Sequence, residues 1–313
     1  MRALVTGAAG FLGSTLCDAL LEEGAEVIGV DAFIPNYAEA NKRANVARAA
    51  SHPRFRLVEA DLRRAEVGPL LAGVTHVVHL AALPGVRASW GGAFRDYTEH
   101  NVLATQRLLD ALREHPVERV VVASSSSVYG APERLPTPED EPRRPLSPYG
   151  VTKVATEGLL NAYRASYGVP AVGLRYFTVY GPRQRPDMGI HRFLEAARRG
   201  TEIPIYGDGE QSRDFTFVDD AVAATRAALE RPVGSLVYNV GGGHRITLNE
   251  LLRAIERVAG APVKRRHEPA AAGDPRDTSA ETSRARRDLG FGPRTDLEAG
   301  LGRQWEWQRN QPA

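Results

Sequence analysis

The stretch Ala3-Leu-Val-Thr-Gly-Ala-Ala-Gly-Phe-Leu-Gly13 decides the fold class of this chain. Residues 3–6 are typical of a β-strand, and residues 11–23 have the pattern of an apolar helix. Glycines between a strand and a helix let the backbone approach a pyrophosphate, and the helix N-terminus offers free N–H donors. A tight turn without a ligand is the alternative, and the G-x-x-G-x-x-G spacing is one residue wider at its start than the commonest dinucleotide fingerprint. We predict a dinucleotide site formed by Gly7, Gly10, Phe11, Leu12 and Gly13.

Similar short apolar runs alternate with amphipathic segments through the first two thirds of the chain. Further strands are predicted at 27–30, 55–59, 76–80, 120–123 and 171–175. Helices are predicted at 97–114 and 148–167. Short β-branched runs with helices between them indicate a buried parallel sheet. We therefore predict an α/β protein with a Rossmann-type, doubly wound parallel sheet.

The pattern becomes irregular after Arg175, with proline-rich turns. Helices are predicted at 190–199, 218–230 and 248–259, and a strand at 237–240 that returns to the main sheet. This indicates two parts. The dinucleotide-binding domain comprises 1–175 plus about 213–243, and a smaller, discontinuous C-terminal substrate lobe comprises about 176–212 plus 244–313. We expect the alanine-rich piece 269–273 to be a surface loop.

Composition narrows the possible functions. Among 313 residues, 40 basic and 38 acidic side chains leave a net charge of only +2, which argues against a dedicated nucleic-acid binder. The single cysteine, Cys17, excludes an internal disulfide and suits core packing, and the scattered histidines predict no metal site. We see no signal peptide and no apolar stretch long enough to span a bilayer, so we expect no membrane partner and a cytoplasmic location.

Polar and small residues follow several of the predicted strands. Asp31 ends the second strand, where a carboxylate can accept both ribose hydroxyls of an adenosine and repel a 2′-phosphate, which favours NAD over NADP. Asp61 and Leu62 are candidates for holding the adenine. Leu80, Ala81 and Ala82 are candidates for the floor beneath the cofactor. A capping role for Asp31, and simple strand termination for the others, are the alternatives.

Tyr149 and Lys153 are four residues apart in a predicted helix, so their side chains share one face. A tyrosine normally titrates near pH ~10, and a neighbouring ammonium lowers the pKa of the phenol. The pair is therefore a candidate general base. On spacing alone, an ordinary solvated helix face is the alternative.

Six ordered motifs give the chain its resemblance to a known family: residues 6–13, His79-Leu-Ala-Ala82, 124–130, Tyr149-Gly-Val-Thr-Lys153, 175–182 and 213–220. With these, the chain resembles the extended short-chain dehydrogenases/reductases, in the NAD-dependent nucleotide-sugar epimerase/dehydratase group. The resemblance implies NAD as cofactor, a UDP-sugar as substrate, and a homodimer formed through helices 97–114 and 148–167.

The same resemblance implies roles for individual residues. Ser125 supplies the hydroxyl that binds O4 of the sugar beside Tyr149, while Lys153 binds the nicotinamide ribose. Asn101 resembles a position that supports the cofactor, with a helix-internal hydrogen bond as the alternative. Ser124 and Tyr176 are further cofactor candidates at strand ends.

Two serines indicate which reaction follows the loss of the O4 proton. Related 4,6-dehydratases carry an Asp-Glu pair after the catalytic hydroxyl, and related decarboxylases carry a Glu at the second position. Ser126 and Ser127 stand there in this chain. The resemblance therefore implies 4-epimerisation through a transient 4-keto intermediate, which would make the protein an isomerase.

The substrate is predicted from the residues after the sixth strand. Thr178 stands where galactose-type epimerases usually have asparagine, and the surrounding motifs resemble the UDP-glucuronate 4-epimerases. Ser126, Ser127, Thr178 and Arg185 are candidates for binding the sugar carboxylate.

Other residues near the predicted substrate site have more than one possible role. Arg87 serves either the carboxylate or a surface ion pair, and Leu83 stands where these epimerases commonly have Gln. Arg213 resembles the arginine that binds the UDP diphosphate, with a surface salt bridge as the alternative. Asp274 falls where relatives contact the nucleotide.

Three other functions remain open on sequence alone. Within the same family they are a UDP-glucose/UDP-galactose 4-epimerase and a UDP-glucuronate decarboxylase. Outside the enzymes, the alternative is an NAD-binding sensor protein.

Overall fold

The computed structural model describes residues 1–269 and 273–311. Its centre is a parallel sheet of seven strands in the order β11-β6-β5-β4-β1-β2-β3. The strands are β1 Arg2–Thr6, β2 Glu26–Asp31, β3 Phe55–Glu59, β4 His76–His79, β5 Arg119–Ser125, β6 Ala171–Tyr176, β7 Val179–Tyr180, β8 Glu202–Tyr206, β9 Ser212–Asp214, β10 Thr216–Phe217, β11 Val237–Val240, β12 Arg245–Thr247 and β13 Lys264–Glu268. The predicted Rossmann-type fold is confirmed, and β11 pairs with β6 in the main sheet as expected.

Ten α-helices accompany these strands within the described residues. They are α1 Phe11–Glu22, α2 Glu39–Ala50, α3 Phe94–Tyr97, α4 Ala104–Glu114, α5 Pro148–Tyr167, α6 Gly189–Arg199, α7 Val218–Glu230, α8 Leu248–Ala259, α9 Ser283–Leu289 and α10 Leu297–Arg309. Short 3₁₀ turns occupy Gly68–Leu71, Arg87–Ser89, Gly91–Ala93 and Ser126–Val128, and a π-helical turn occupies Thr98–Leu103. None of the helices in this part of the chain is long and apolar enough to cross a membrane.

Local sequence explains why α5 has the predicted bounds. Ser147 accepts a hydrogen bond from the N–H of Gly150 at 3.1 Å, and Pro148 occupies the first helical position, where no N–H is needed. Gly168, with φ +70°, ends the helix in a left-handed conformation that glycine adopts without steric cost. These caps place Tyr149 in the first turn of the helix.

Apolar side chains pack on both faces of the main sheet. On one face, α1 and α7 cover the strands, and Cys17 is buried there as predicted. On the other face, α4 and α5 contribute Leu108 and Leu160 to a second cluster. Because β1 lies between β2 and β4, the chain direction of the crossovers reverses at β1. A crevice opens at such a point beyond the carboxyl ends of the strands.

A third apolar cluster lies among α6, α8, α10 and β8. The parallel pair β8–β13 and the antiparallel pair β9–β12 lie in this part of the molecule. The cluster also contains Phe215 and Phe217 from the range predicted for the dinucleotide domain, so the boundary between the two parts stays a prediction. Most of the alanine-rich piece, residues 270–272, lies outside the described residues.

The structure also contains elements that the sequence pattern did not predict. They are helices α2, α3, α9 and α10 and strands β7, β8, β9, β10, β12 and β13. Helix α2 has mostly polar and small residues, and buries Val46 and Ala49 as its apolar contribution, so its periodicity is weak. The helix predicted at 97–114 is interrupted by the π-helical turn, which contains Asn101.

Candidate active site

A cavity of about 810 Å³ lies at the carboxyl ends of the main-sheet strands. It brings together most of the predicted site residues from both parts of the chain. These are Gly7, Gly10, Phe11, Leu12, Gly13, Asp31, Asp61, Leu62, Leu80, Ala81, Ala82, Arg87, Ser124, Ser125, Ser126, Ser127, Tyr149, Lys153, Tyr176, Thr178, Arg185 and Asp274. Asn101 and Arg213 do not line it.

The glycine-rich loop forms one end of this cavity. Gly7 has φ +72°, and a Cβ atom on Gly13 would lie 2.0 Å from the Gly7 carbonyl oxygen, so neither position tolerates a side chain without a shift of the backbone. Asp31 stabilises the loop because its carboxylate accepts hydrogen bonds from the N–H groups of Ala9, at 3.0 Å, and Phe33, at 2.8 Å. The capping interpretation of Asp31 therefore describes part of what it does, and its oxygens retain lone pairs for a ligand.

The end of the cavity predicted to bind adenosine contains side chains that the sequence pattern did not single out. Lys42, on the unpredicted helix α2, donates to the Ile34 carbonyl, and its ammonium lies 4.7 Å from the centroid of the Tyr37 ring. Both side chains line the cavity with Asp31. Asp61 also lines it, but its carboxylate binds the guanidinium of Arg63, and these hydrogen bonds lower the pKa of Asp61.

At the opposite end, Tyr149 is held by its backbone and its ring. Its N–H donates to the Ser89 hydroxyl at 3.0 Å, and its ring packs edge-on against Tyr97 with the centroids 6.3 Å apart. Burial raises the pKa of Tyr149, whereas a hydrogen bond with Ser125 and the charge of Arg185 act in the opposite direction.

Lys153 is buried one helical turn further along α5. Its ammonium donates to the Ala123 carbonyl at 2.8 Å and lies 5.9 Å from the centroid of the Tyr149 ring. Burial lowers the pKa of Lys153 to about 8, and the Glu157 carboxylate opposes that effect. In this structure burial has the largest effect on the pKa of Tyr149, and the Lys153 ammonium binds a carbonyl, so the lowering of that pKa by Lys153 stays a prediction.

The serines after β5 divide into two groups. Ser124 donates to the Glu157 carboxylate at 2.6 Å, beneath the cavity floor. Ser125 donates to the Ser127 hydroxyl at 3.1 Å and accepts from the Ser127 N–H at 3.1 Å. The hydroxyl-rich turn is therefore internally ordered and sits beside Tyr149.

Asn101 connects two segments that lie far apart in the sequence. Its amide donates to the Leu83 carbonyl at 2.9 Å and to the Thr152 hydroxyl at 3.0 Å, and it accepts from the Leu83 N–H at 2.7 Å. The side chain is buried away from the cavity and connects the loop after β4 to helix α5. A helix-internal bond of the side chain is therefore wrong, while support of the cofactor by Asn101 stays a prediction. Sequence spacing carries no signal for such a long-range contact.

Two ion pairs occupy the end of the cavity predicted to bind the sugar nucleotide. Arg185 binds the carboxylate of Asp187, at 2.9 and 2.8 Å. Arg87 binds Asp274 at 2.6 Å, and its guanidinium carbon lies 4.2 Å from the centroid of the Tyr206 ring. For Arg87 the ion-pair interpretation is the one that the structure supports.

Arg213 lies behind this end of the cavity. It donates to the backbone carbonyls of Ser212, at 2.8 Å, and Arg276, at 3.0 Å, and burial lowers the pKa of its guanidinium. The surface salt bridge considered for it is wrong, and its role toward a diphosphate stays a prediction. Arg192, Tyr206 and Gln211 also line the cavity, although no sequence motif singled them out.

Metal ligands are not grouped in residues 1–269 and 273–311. No set of three His, Cys, Asp or Glu side chains is placed there to hold an ion.

Comparisons with known proteins show which proteins this chain resembles. The profile of the NAD dependent epimerase/dehydratase family matches residues 3–241. A Bacillus subtilis (strain 168) protein named as the uncharacterized UDP-glucose epimerase YtcB is 44% identical over 304 residues, which cover 96% of each chain. The UDP-glucuronate 4-epimerase of Thermodesulfobacterium geofontis (strain OPF15) is 36% identical over 311 residues, covering 98% of this chain and 95% of that one.

A crystal structure agrees with these sequence matches. The UDP-glucuronic acid 4-epimerase from Bacillus cereus, in complex with UDP-glucuronic acid and NAD, superposes with a TM-score of 0.95 and 38% identity over 99% of both chains. The family expected from the six motifs is confirmed. The chain thus belongs to the NAD dependent epimerase/dehydratase family.

Proposed function

We propose that the protein is an NAD-dependent isomerase that interconverts UDP-glucuronate and UDP-galacturonate by 4-epimerisation. The observation that carries the proposal is that one cavity joins both predicted parts of the site. Its one end is the glycine-rich loop with Asp31, and its other end combines Ser125 and Tyr149 with the hydroxyls and guanidinium predicted for a sugar carboxylate. The similarity to epimerases that bind UDP-glucuronic acid and NAD supports it.

The residues present fit NAD. The backbone of the loop leaves no room for side chains at Gly7 and Gly13, which suits close approach of a pyrophosphate to the start of α1. Asp31 stands where a carboxylate accepts ribose hydroxyls, with Lys42 and Tyr37 beside it. When bound, NAD supplies a reversible hydride acceptor at C4 of the sugar.

Ser125 and Tyr149 carry out the acid–base chemistry in this proposal. Tyr149 takes the O4 proton and later returns it, and Ser125 binds the same oxygen and stabilises the phenolate by a hydrogen bond. Lys153 binds the nicotinamide ribose. Ser126 and Ser127 offer hydroxyls and no carboxyl group, so elimination across C5 and C6 has no acid–base pair here.

The position of the uronic acid carboxylate matters, because the 4-keto intermediate can lose CO2. A 4-keto uronic acid is a β-keto acid, and loss of CO2 needs the breaking bond aligned with the carbonyl π system. Ser126, Ser127, Thr178 and Arg185 line the cavity at the sugar end. They hold the carboxylate near the ring plane and so disfavour decarboxylation.

In this proposal the smaller lobe binds the UDP moiety. Asp274 lines the cavity from the C-terminal part of the chain, and Arg213 lies behind it. Residues from about 176–212 and 244–313 form the nucleotide-sugar lobe, and 1–175 plus about 213–243 form the NAD-binding domain.

A UDP-glucose/UDP-galactose 4-epimerase is the second candidate function. The name of the B. subtilis relative favours it, and so does the Arg185–Asp187 pair, which occupies the Nε–Nη2 edge of the guanidinium and offsets its charge. Both candidates use the same acid–base residues and differ in the substituent at C5 of the sugar.

The protein acts as a homodimer in this proposal. Leu103, from the π-helical turn, and Val151, from α5, are 45% and 46% exposed on adjacent segments of one surface. Such apolar side chains suit a helix bundle with a second copy of the chain. A cytoplasmic location stays a prediction.

Incubation with UDP-glucuronate, followed by NMR, tests the proposed function. We expect UDP-galacturonate to form until the two sugars reach equilibrium, without CO2 release and without added NAD being consumed. The Tyr149→Phe variant is the control and should form no product. If the wild-type protein forms UDP-galactose from UDP-glucose but leaves UDP-glucuronate unchanged, the second candidate is correct.

A further inference from the structure

Arg185 and Asp187 form an ion pair inside the cavity that contains Tyr149. The guanidinium donates from Nε to Oδ1 at 2.9 Å and from Nη2 to Oδ2 at 2.8 Å. Only 16% of the Arg185 side chain is exposed, whereas 56% of the Asp187 side chain is exposed. Asp187 therefore occupies the Nε–Nη2 edge of the guanidinium in a bidentate manner, and Nη1 lies outside this pair.

Both charges act at the catalytic end of the cavity. The charge of Arg185 lowers the pKa of Tyr149 against the larger effect of burial. Burial raises the pKa of the neighbouring Tyr97 to about 12, and there Arg185 lowers the pKa while Asp187 raises it. Asp187 thus offsets part of the positive charge that Arg185 brings to the site.

From this geometry we infer that Asp187 determines sugar specificity: by binding Arg185 it reduces the preference of the cavity for UDP-uronic acids and lets neutral UDP-hexoses bind. This inference rests on the proposed function, because it concerns which UDP-sugars the same site accepts.

The physical reason is an exchange of partners. A sugar carboxylate that takes the Nε–Nη2 edge of Arg185 must replace Asp187, and one that approaches Nη1 meets a guanidinium whose charge Asp187 already offsets, so in both cases the gain in binding is reduced. The remaining Asp187 carboxylate also repels the sugar carboxylate. A neutral hexose leaves the pair intact, and no largely buried cation loses its partner.

Removal of Asp187 reverses this balance. The Arg185 guanidinium then lacks the carboxylate that binds it, and a uronic acid supplies a replacement in the same bidentate geometry. A hexose offers a hydroxymethyl group instead, which leaves the cation without a counter-charge. Affinity for UDP-glucuronate should rise and affinity for UDP-glucose should fall.

Dissociation constants of the NAD-bound protein test the inference. Kd for UDP-glucuronate and for UDP-glucose is measured by calorimetry for the wild type, Asp187→Asn and Asp140→Asn. Asp140 is the matched control, because it forms a comparable pair with Arg134 at 2.9 Å, is 68% exposed and lies outside the cavity. We expect Asp187→Asn to raise the preference for UDP-glucuronate by about fivefold or more, and Asp140→Asn to leave it within about twofold.

A second variant separates a role in specificity from a role in folding. In the double variant Asp187→Asn/Arg185→Gln, the increased preference should disappear, because Asp187 acts through Arg185. An unchanged ratio of Kd values in Asp187→Asn, or an equal change for both sugars, overturns the inference. A wild type that binds both sugars but epimerises neither refutes the proposed function, while the Kd ratio still tests the role of Asp187.

Discussion

The carboxylate of Glu157 receives two hydrogen bonds from the guanidinium of Arg175, at 2.8 and 2.7 Å, and both side chains are buried beneath the cavity. Ser124 donates to the same carboxylate from the end of β5. The ion pair therefore joins β6 to the helix that carries Lys153, and Ser124 connects the strand that leads to Ser125 to the same carboxylate. Its loss should destabilise the floor of the active site.

Arg175→Met should cost about 3–5 kcal/mol of the free energy of unfolding, because it leaves the Glu157 carboxylate buried without its main partner. Urea unfolding measures the change. Arg143→Met is the matched control: that guanidinium contacts the same carboxylate at 3.4 Å but is 45% exposed, so its loss should cost less than about 1 kcal/mol. Equal losses in the two variants would contradict this account.

Ser125→Ala should shift the pH dependence of turnover to higher pH. Proton abstraction needs the deprotonated Tyr149, so kcat/KM rises with pH through the pKa of that phenol. Since the contact with Ser125 lowers this pKa, its removal raises the pKa and moves the rising limb upward. We also expect kcat to fall by about 10²–10⁴-fold. A pH–rate profile of both proteins measures the shift, and an unmoved limb would exclude Ser125 from tuning the base.

Gly13→Ala should abolish or strongly weaken NAD binding, because its Cβ would lie 2.0 Å from the Gly7 carbonyl oxygen. The NAD content of the purified protein is the measurement. Gly302→Ala, in α10, is the control: no atom lies within 4 Å of its Cβ, so it should retain NAD and gain about 0.5–1 kcal/mol of stability. If Gly13→Ala retains a full complement of NAD, the loop does not approach the pyrophosphate as proposed.

Thr178→Ala and Arg185→Met should increase decarboxylation relative to epimerisation of UDP-glucuronate. The physical reason is that fewer donors hold the carboxylate near the ring plane. The ratio of UDP-pentose to UDP-galacturonate, followed by NMR, measures the effect. If neither substitution alters this ratio, the proposed control of the carboxylate is wrong.

Leu103→Glu and Val151→Glu should shift the protein toward a monomer in analytical ultracentrifugation. A charge at these half-exposed apolar positions would have to be buried against a second copy of the chain. Leu135→Glu, at another surface position that is 39% exposed, should leave the mass unchanged. A wild-type protein that sediments as a monomer would refute the dimer directly.

The sequence predicted the elements whose signals are local. Helix α5 has its capping serine, a proline in its first turn and a terminal glycine, and its predicted bounds are those of the structure. Helix α2 escaped prediction because its few apolar contacts give no clear periodicity, and Lys42 was missed with it.

Prediction from sequence was also limited by contacts between residues that are far apart in the chain. Arg87 and Asp274 are separated by 187 positions, so their pairing could be offered only as one of two interpretations of Arg87. The sign of the pKa shift of Tyr149 depended on burial, which the four-residue spacing to Lys153 does not report.

The loop from Leu83 to Ser89 is held at both ends by the catalytic helix and its neighbour. Asn101 binds both backbone groups of Leu83, and the Ser89 hydroxyl receives the N–H of Tyr149. Between these points, Tyr97 binds the backbone carbonyls of Pro84 and Gly85. Since the ties that hold residues 83–85 are to backbone groups, the side chains of Pro84, Val86 and Ala88, which line the cavity, are open to redesign. An engineer seeking a new sugar range can vary them while Tyr149 stays in place.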